Sequence, residues 1–426
     1  MFPWHVRKLQ SDLFNHKSQG AVALRRECRC TAPKPTSLRT VCQCCRRADA
    51  SERLLFTNSN PDRYPDQPAL AEQDSDVSAS PKMLGFRMER VNSTSMPVGL
   101  LLPDVTTVDQ TTLAVRAEEW GYESVWLGEL WGTSAPIRLA EIASQTDRVT
   151  IGTAILNVFS RTPATLAMTA NSLDTISDGR FTLGVGTSTA TAIENLHGMA
   201  FDRPVRRAHE TIELTKRFLG QDDGGGDHRV TYDGELFQVK DFPALDVDVP
   251  IYHAALGKAN RRVVARLCDG WIPHNVPFSA LDDAFAYVAD HAEKAGRDPD
   301  QITVAPYVPA AVADDPEVAR DAIRGHVAYY VGSGEGYRQA VASQFPDAAD
   351  QVAEAWQASE RQAAADSVTD EMVSELGVAG TPGDAREQLQ ALVEDSVVDH
   401  PIVTVPQQAA DAVAESTIEA LAPENR

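Results

Sequence analysis

From residue 96 onward, short apolar runs alternate with stretches whose apolar residues recur at helical spacing, and this alternation limits the fold more than any other feature of the chain. Residues 98–102 (VGLLL) are closed by Pro103-Asp104, and Leu113, Val115 and Ala117 then predict a helix over 107–120 that Gly121 stops. The unit returns as 124–127 with a helix over 136–144, 149–154 with 163–176, and 181–185 with 205–219. It continues as 251–255 before 259–267, 270–272 before 281–295, and 303–307 before a long helical stretch from Pro316. A helix over 385–393 and the run 402–405 complete eight strands. Such strands need cover on both faces, which the helices supply. Eight of them in about 310 residues close into an α/β fold of the (β/α)8 TIM-barrel type, with an open doubly wound sheet as the alternative.

Two segments exceed the unit. Residues 221–250 contain DDGGGD and then VTYDGELFQV, whose alternation predicts a hairpin or edge strand. Residues 328–377 are helix-prone and alanine-rich, with Tyr329, Tyr330, Tyr337, Phe345 and Trp356 spaced along them. Both lie where barrel loops grow, so either is a candidate wall or lid over the active face.

The first 95 residues follow different rules. Residues 1–50 carry ten Lys/Arg against three Asp/Glu, or +7, so the formal balance of −22 leaves −29 for the rest. Five of the six cysteines (Cys28, Cys30, Cys42, Cys44, Cys45) fall there too, as C-x-C and C-x-C-C, tighter than the two- to four-residue spacing of structural zinc sites. The segment has no sustained apolar period, and 58–81 is a Pro/Asp/Ser/Gln tract with nothing to bury. Residues 1–95 are therefore expected to be a disordered extension, or a start-site overextension with Met83, Met88 or Met96 as the true start. Residues 96–426 are expected to form the barrel.

The acidic body disfavours nucleic acids and anionic membranes, and no run of eighteen apolar residues could span a bilayer. Cys268 alone cannot form a disulfide within the body, which suits a reducing cytoplasm. From Met96 there are four lysines against twenty arginines, and this acidic, lysine-poor surface suits a halophilic, high-salt interior. The expected partners are a small-molecule substrate and further copies of the chain, in a homodimer or larger homo-oligomer.

In a barrel of this kind ligands meet the carboxyl ends of the strands. No metal-ligand set falls there, because His197, His253 and His274 are scattered, and His253 is equally well a hydrogen-bonded core residue. Ser188 has no visible base, and Cys268 lies at a helix end beside Asp269. Glycine, alanine, proline and small polar residues remain, suited to a flat ring and a phosphate whose chemistry a cofactor brings. LGVG (183–186) lacks the full dinucleotide signature, and its glycines are expected to let the backbone approach a ring, with Gly186, Thr187 and His274 as candidate contacts. AALGKAN (254–260) sets Gly257 and Lys258 between a strand and a helix start, where free N–H groups favour a phosphate, with Ala255 beside them. An ordinary helix start with an exposed lysine is the alternative.

The string VTIGTAILNVFSRTPATLAMTANSLDTISDGRFTLGVGTS (149–188) resembles the luciferase-like monooxygenases and their deazaflavin-dependent relatives. So do RPVRRAHETIEL (203–214), VPIYHAALGKANRRVVARLCDGWIP (249–273) and GTPGDAREQLQALVEDSVVDHPIV (380–403), and the resemblance covers about 96–406. It implies a flavin or deazaflavin across the barrel mouth, with a bulge and a non-prolyl cis peptide behind the ring at the position matching Ala154-Ile155. Asn157, Ser160 and Arg161 are similar to the N-P-Y-T-R segment of methylenetetrahydromethanopterin reductases, and Glu129 falls where deazaflavin members place an acidic residue. Glu129 and Asn157 are thus the candidate catalytic residues. Those reductases carry a glutamate where this chain has Leu101, a side chain that can neither hold a proton nor polarise an amine. The function implied is hydride transfer between C5 of coenzyme F420 and an organic substrate, possible pterins included; the alternatives are an FMN-dependent monooxygenase using reduced flavin and oxygen, and a non-enzymatic barrel.

Overall fold

The computed structural model describes residues 96–103, 106–221 and 229–423. The expectations for residues 1–95 and for the DDGGGD tract at 222–227 lie outside the described residues. The strands in chain order are β1 (Gly99–Leu101), β2 (Ser124–Leu127), β3 (Thr150–Thr153), β4 (Leu156–Asn157), β5 (Phe181–Gly186), β6 (Arg229–Asp233), β7 (Gln238–Pro243), β8 (Ile251–Ala254), β9 (Gly270–Trp271), β10 (Thr303–Val304), β11 (Tyr307–Val312), β12 (Val378–Gly380) and β13 (Ile402–Thr404).

Parallel pairs run from β1 through β2, β3, β5, β8 and β9 to β10, while β11 pairs with β13 and β13 with β1. β10 and β11 are two pieces of one stretch broken at Ala305-Pro306, where proline has no N–H to give. Ala305 and Tyr307 still donate their N–H groups to Trp271 and Pro273 of the neighbouring strand, so the ring of eight closes. The predicted barrel is present, and the open sheet is not.

Local chemistry explains where the helices begin. Asp109 accepts from the N–H groups of Thr111 and Thr112, so the first helix starts at Gln110 rather than at 107. Thr162 caps Pro163–Ser177. Thr381 and Asp384 form a capping box that starts Pro382–Glu394 three residues before the predicted onset. A helix at Asp411–Ala420 was not expected from the apolar pattern, nor was β12, which extends the sheet by pairing with Ala310–Val312. The seventh strand also runs on to Val312 instead of ending at Tyr307.

The core fills the barrel and the space between sheet and helices, with Trp271, Phe181, Leu100, Leu139 and Ile151 fully buried. The long segment after Pro316 folds as five helices, Pro316–Ser333, Glu335–Ala342, Pro346–Gln357, Arg361–Asp366 and Asp370–Leu376. They enclose a smaller core around Ile323, Val327, Val352 and Met372. β6 and β7 form the predicted antiparallel hairpin, and its turn is held by Glu210 of the helix Pro204–Leu219.

Candidate active site at the carboxyl end of the barrel

The strand carrying β3 and β4 is bulged. Gly152 pairs with Thr182 and Leu156 with Val185, so four steps on one strand oppose three on the other, and one extra residue is accommodated. The peptide between Ala154 and Ile155 is cis, at the position the resemblance indicated. Where the backbone ladder is interrupted, the Thr153 hydroxyl replaces it, donating to the Gly184 carbonyl at 2.8 Å and accepting from the Gly184 N–H at 2.9 Å. A Cβ at Gly184 would lie 1.8 Å from the Thr153 carbonyl oxygen, and one at Gly186 3.0 Å from the Ile155 side chain. One at Gly128 would lie 3.0 Å from the Ala154 carbonyl oxygen. The glycines of LGVG thus leave room for the bulge. The Tyr307 hydroxyl donates to that same Ala154 carbonyl from the seventh strand.

Inside the mouth, Leu101, Ile155, Tyr252, Ala254 and Tyr307 pack around Trp126, Ala154, Ile272 and Ala305. This is an apolar floor at the level of the bulge. Glu129 and Arg161 stand beside it as a two-pronged ion pair, with nitrogen–oxygen distances of 2.5 and 2.9 Å. One Glu129 oxygen also accepts from the Ala135 N–H at 3.0 Å, at the start of the next helix. Burial pushes the Glu129 carboxyl up, but the Arg161 hydrogen bonds and charge and the Ala135 N–H outweigh it and hold the group below its ordinary range. It is an ionised, fully engaged carboxylate. Asn157 is similarly committed: its side-chain oxygen accepts from Phe159 and Ser160, and its nitrogen lies 3.2 Å from His197 Nε2. Both candidate catalytic residues therefore direct their polar atoms at the protein.

One wall is aromatic. His274 ends the sixth strand, and its ring packs edge-on against Tyr307, Tyr330 and Tyr337 at centroid distances of 4.9, 4.3 and 5.4 Å. Its Nε2 is 3.2 Å from Nε2 of His326, so one ring donates and the other accepts. Burial drives His326 down to about 3, and burial with the His326 charge drives His274 well below its ordinary value. Both are neutral at pH 7. Burial likewise pushes the Tyr337 hydroxyl up to about 12. The helical segment after Pro316 therefore supplies a wall through His326, Tyr330 and Tyr337. The sequence offered the tyrosines but no sign that His326 meets His274, because 52 residues separate them.

The ends of the fourth, fifth and sixth strands carry the remaining candidates. Ala255 is buried, and its carbonyl accepts from Trp271 Nε1. Gly257 precedes the helix Lys258–Leu267, no side chain caps that helix, and a Cβ at Gly257 would meet nothing within 4 Å. Lys258 is exposed, its ammonium 5.8 Å from the centre of the Tyr287 ring. Thr187 is half-buried, and Ser188 after it takes a left-handed conformation (φ 57°). His253 is wholly buried with Nδ1 3.1 Å from the Val185 carbonyl, in keeping with the core alternative. Asn275 is 3% exposed, and neither polar atom of its side chain has a protein partner. No motif marked it.

Among the described residues no group of His, Cys, Asp and Glu could hold a metal, and no helix is long and apolar enough to cross a membrane. Burial, with the charge of Asp269, pushes the Cys268 thiol up to about 12, so it is no nucleophile at neutral pH.

Three comparisons bear on this arrangement. A Mycobacterium tuberculosis protein named as a candidate coenzyme F420-dependent oxidoreductase is 28% identical over 304 residues, which is 65% of this chain and 85% of that one. The 5,10-methylenetetrahydromethanopterin reductase of Methanolobus tindarius is 26% identical over 288 residues, covering 67% of this chain and 86% of the relative. The solved coenzyme F420-dependent tetrahydromethanopterin reductase of Methanopyrus kandleri superposes with a TM-score of 0.64 at 22% identity, over 78% of this chain and 97% of that one, which shows a shared fold. The luciferase-like monooxygenase family model matches residues 96–400, and the chain belongs to that family.

Proposed function

We propose that the protein is a coenzyme F420-dependent oxidoreductase that passes a hydride between the deazaflavin C5 and an organic substrate carbon. The observation that carries this reading is the cradle at Gly257. An uncapped helix start, open space where a side chain would stand and an adjacent lysine suit a phosphate, on a strand two places round the barrel from the bulge. Gly257 and Lys258 would hold the phosphate, with Ala255 beside them. Ala154, Ile155, Gly186 and Thr187 would lie behind or beside the ring. His274, whose Nε2 is engaged with His326, would offer a ring face.

The bound cofactor supplies the hydride chemistry. The protein's own residues orient and exclude water: the apolar floor and the neutral aromatic wall make a dry site in which the reacting carbons can be held about 3 to 3.5 Å apart. Glu129 and Asn157 act as positioning residues. The Glu129–Arg161 pair ties the end of the second strand to the loop after the bulge, and Asn157 shapes that loop. Leu101 offers a pterin no carboxylate, so the reading extends to a substrate whose reacting carbon meets an apolar face.

Fluorescence titration tests the proposal. Coenzyme F420 should be quenched on binding, and Gly257→Val should weaken its affinity at least about tenfold by denying the phosphate its approach. Lys258→Ala should cost less, since the helix start still offers donors. Saturable binding of FMN with none of F420 would replace this reading by the flavin monooxygenase. Unchanged affinity in folded Gly257→Val would move the phosphate elsewhere.

A further inference from the structure

His274 and His326 are both buried, and they share one contact, Nε2 to Nε2 at 3.2 Å. Neither Nδ1 has a protein partner among the described residues. A buried polar atom denied a partner costs about 1 to 3 kcal/mol, so each ring gains from a partner that the protein does not supply. The two rings differ in their surroundings. His274 packs edge-on against Tyr307, a member of the mouth floor whose hydroxyl holds the Ala154 carbonyl of the bulge. His326 lines a small recess with Tyr329, Tyr330, Gln407 and Gln408, and both glutamines are exposed. The pair therefore runs from the mouth to a recess that solvent reaches.

Hydride transfer moves a hydrogen with its electron pair, and where the reacting carbon bears an oxygen a proton has to reach or leave that oxygen as well. The other polar groups of the mouth have none to give. Glu129 is ionised and held by Arg161 and Ala135, Asn157 is committed to Phe159, Ser160 and His197, and Tyr307 is committed to Ala154. Burial pushes the Tyr330 and Tyr337 hydroxyls up, so they keep their protons. The imidazoles are different. Burial holds both rings neutral, and a neutral pair passes a proton without either ring becoming charged. One ring releases its Nδ1 proton as its Nε2 takes the Nε2 proton of the other, and both tautomers exchange.

We infer that His274 and His326 form a proton relay for the substrate oxygen, and hence that the substrate is a ketone or aldehyde interconverted with its alcohol. In the reducing direction the reduced deazaflavin anion gives its C5 hydride to the carbonyl carbon and is oxidised, while the carbonyl oxygen takes the proton of His274 Nδ1. His274 Nε2 then takes the Nε2 proton of His326, and His326 Nδ1 takes one from solvent at the recess. Oxidation of the alcohol runs the same steps backwards. His274 meets the substrate oxygen, and His326 is a positioning residue that acts through it. This rests on the F420 reading, and the experiment separates the two.

The experiment uses the full chain, reduced coenzyme F420 and two probes suited to an apolar floor, acetophenone and cyclohexanone. Wild type should reduce at least one of them, with a solvent deuterium isotope effect on kcat. His326→Gln keeps a donor toward His274 but passes no proton on, so kcat should fall about a hundredfold or more while F420 affinity stays within about twofold. Added imidazole should restore part of the rate to His326→Ala. A readout without turnover stands beside these and survives a variant that fails to fold. Nitrogen-15 spectra of wild type at pH 7 should show both rings neutral and in opposite tautomers, one protonated at Nε2 and the other at Nδ1. A charged ring, two like tautomers, full kcat in His326→Gln, or kcat and F420 affinity falling together overturns the relay. If F420 binds and neither ketone is reduced, the relay and the substrate class fall while the cofactor reading stands. If F420 does not bind, the cofactor reading falls and the relay falls with it.

Discussion

Two glycines that look alike in the sequence do opposite things in the fold. Gly184, in LGVG, is pressed on by backbone: an added Cβ would lie 1.8 Å from the Thr153 carbonyl, which cannot withdraw without breaking the bulge. Gly257, in LGKAN, faces open space. The sequence marked both motifs as approaches to a ligand and could not separate them, because the difference lies in Thr153, 31 residues before Gly184. Gly184→Ala is expected to destabilise the protein by about 3 kcal/mol or more, or to prevent folding, whereas Gly257→Ala should melt within about 1 kcal/mol of wild type. Denaturant melts of the two variants check this, and a Gly184→Ala protein as stable as wild type would show that the bulge can shift. Glu129 and Asn157 carry a related lesson. Residue type and place identified them as polar groups at the mouth, but only the structure shows their atoms already committed to Arg161, Ala135, Phe159 and Ser160.

At the scale of elements, the barrel units were legible because each strand is a short apolar run and each helix announces itself by spacing and punctuation. β12 was not, since three residues between two helices carry no period of their own. The hairpin was legible as alternation, but its anchor was not. Glu210 is wholly buried and accepts from the N–H groups of Glu235, Leu236 and Phe237 while paired with Arg206 at 2.6 Å. Burial pushes its carboxyl up, yet the backbone donors and Arg206 outweigh burial and hold it below the ordinary range. A carboxyl depressed in the folded state adds stability above its unfolded value, and that stability fades as pH falls through the folded value. Glu210→Gln should therefore cost about 3 kcal/mol at pH 7, and the gap from wild type should close in acid below about pH 4. Chemical melts from pH 7 to pH 3 measure it, and a gap that stays constant to pH 3 would remove the charge from the account.

At the scale of the whole molecule, a closed ring of strands carries a strongly acidic surface. The strand at Gly99 enters the barrel between β2 and β13, so the closed ring is complete from residue 96 onward. Residues 1–95 are proposed to contribute nothing to it, and a chain starting at Met96 should keep the Tm and F420 affinity of the full chain. A drop of more than about 5 °C would show the extension to be structural. The same chain allows the charge to be tested without the +7 of residues 1–50. Two effects of salt oppose each other on a surface like this. Screening weakens exposed pairs such as Arg338 with Glu335 and Asp350, but each such pair is worth only about 0 to 1 kcal/mol. It also weakens the mutual repulsion of a chain that from Met96 holds 24 Lys/Arg against 51 Asp/Glu, or −27, which acts between many charges at once and grows as the Debye length lengthens from about 3 Å at 1 M to about 10 Å at 0.1 M. Repulsion should win, so Tm should fall steadily from molar potassium chloride down to about 0.1 M. A flat or rising profile over that range would mean that local pairing offsets the net charge, and the expectation of a high-salt interior would lose its physical basis.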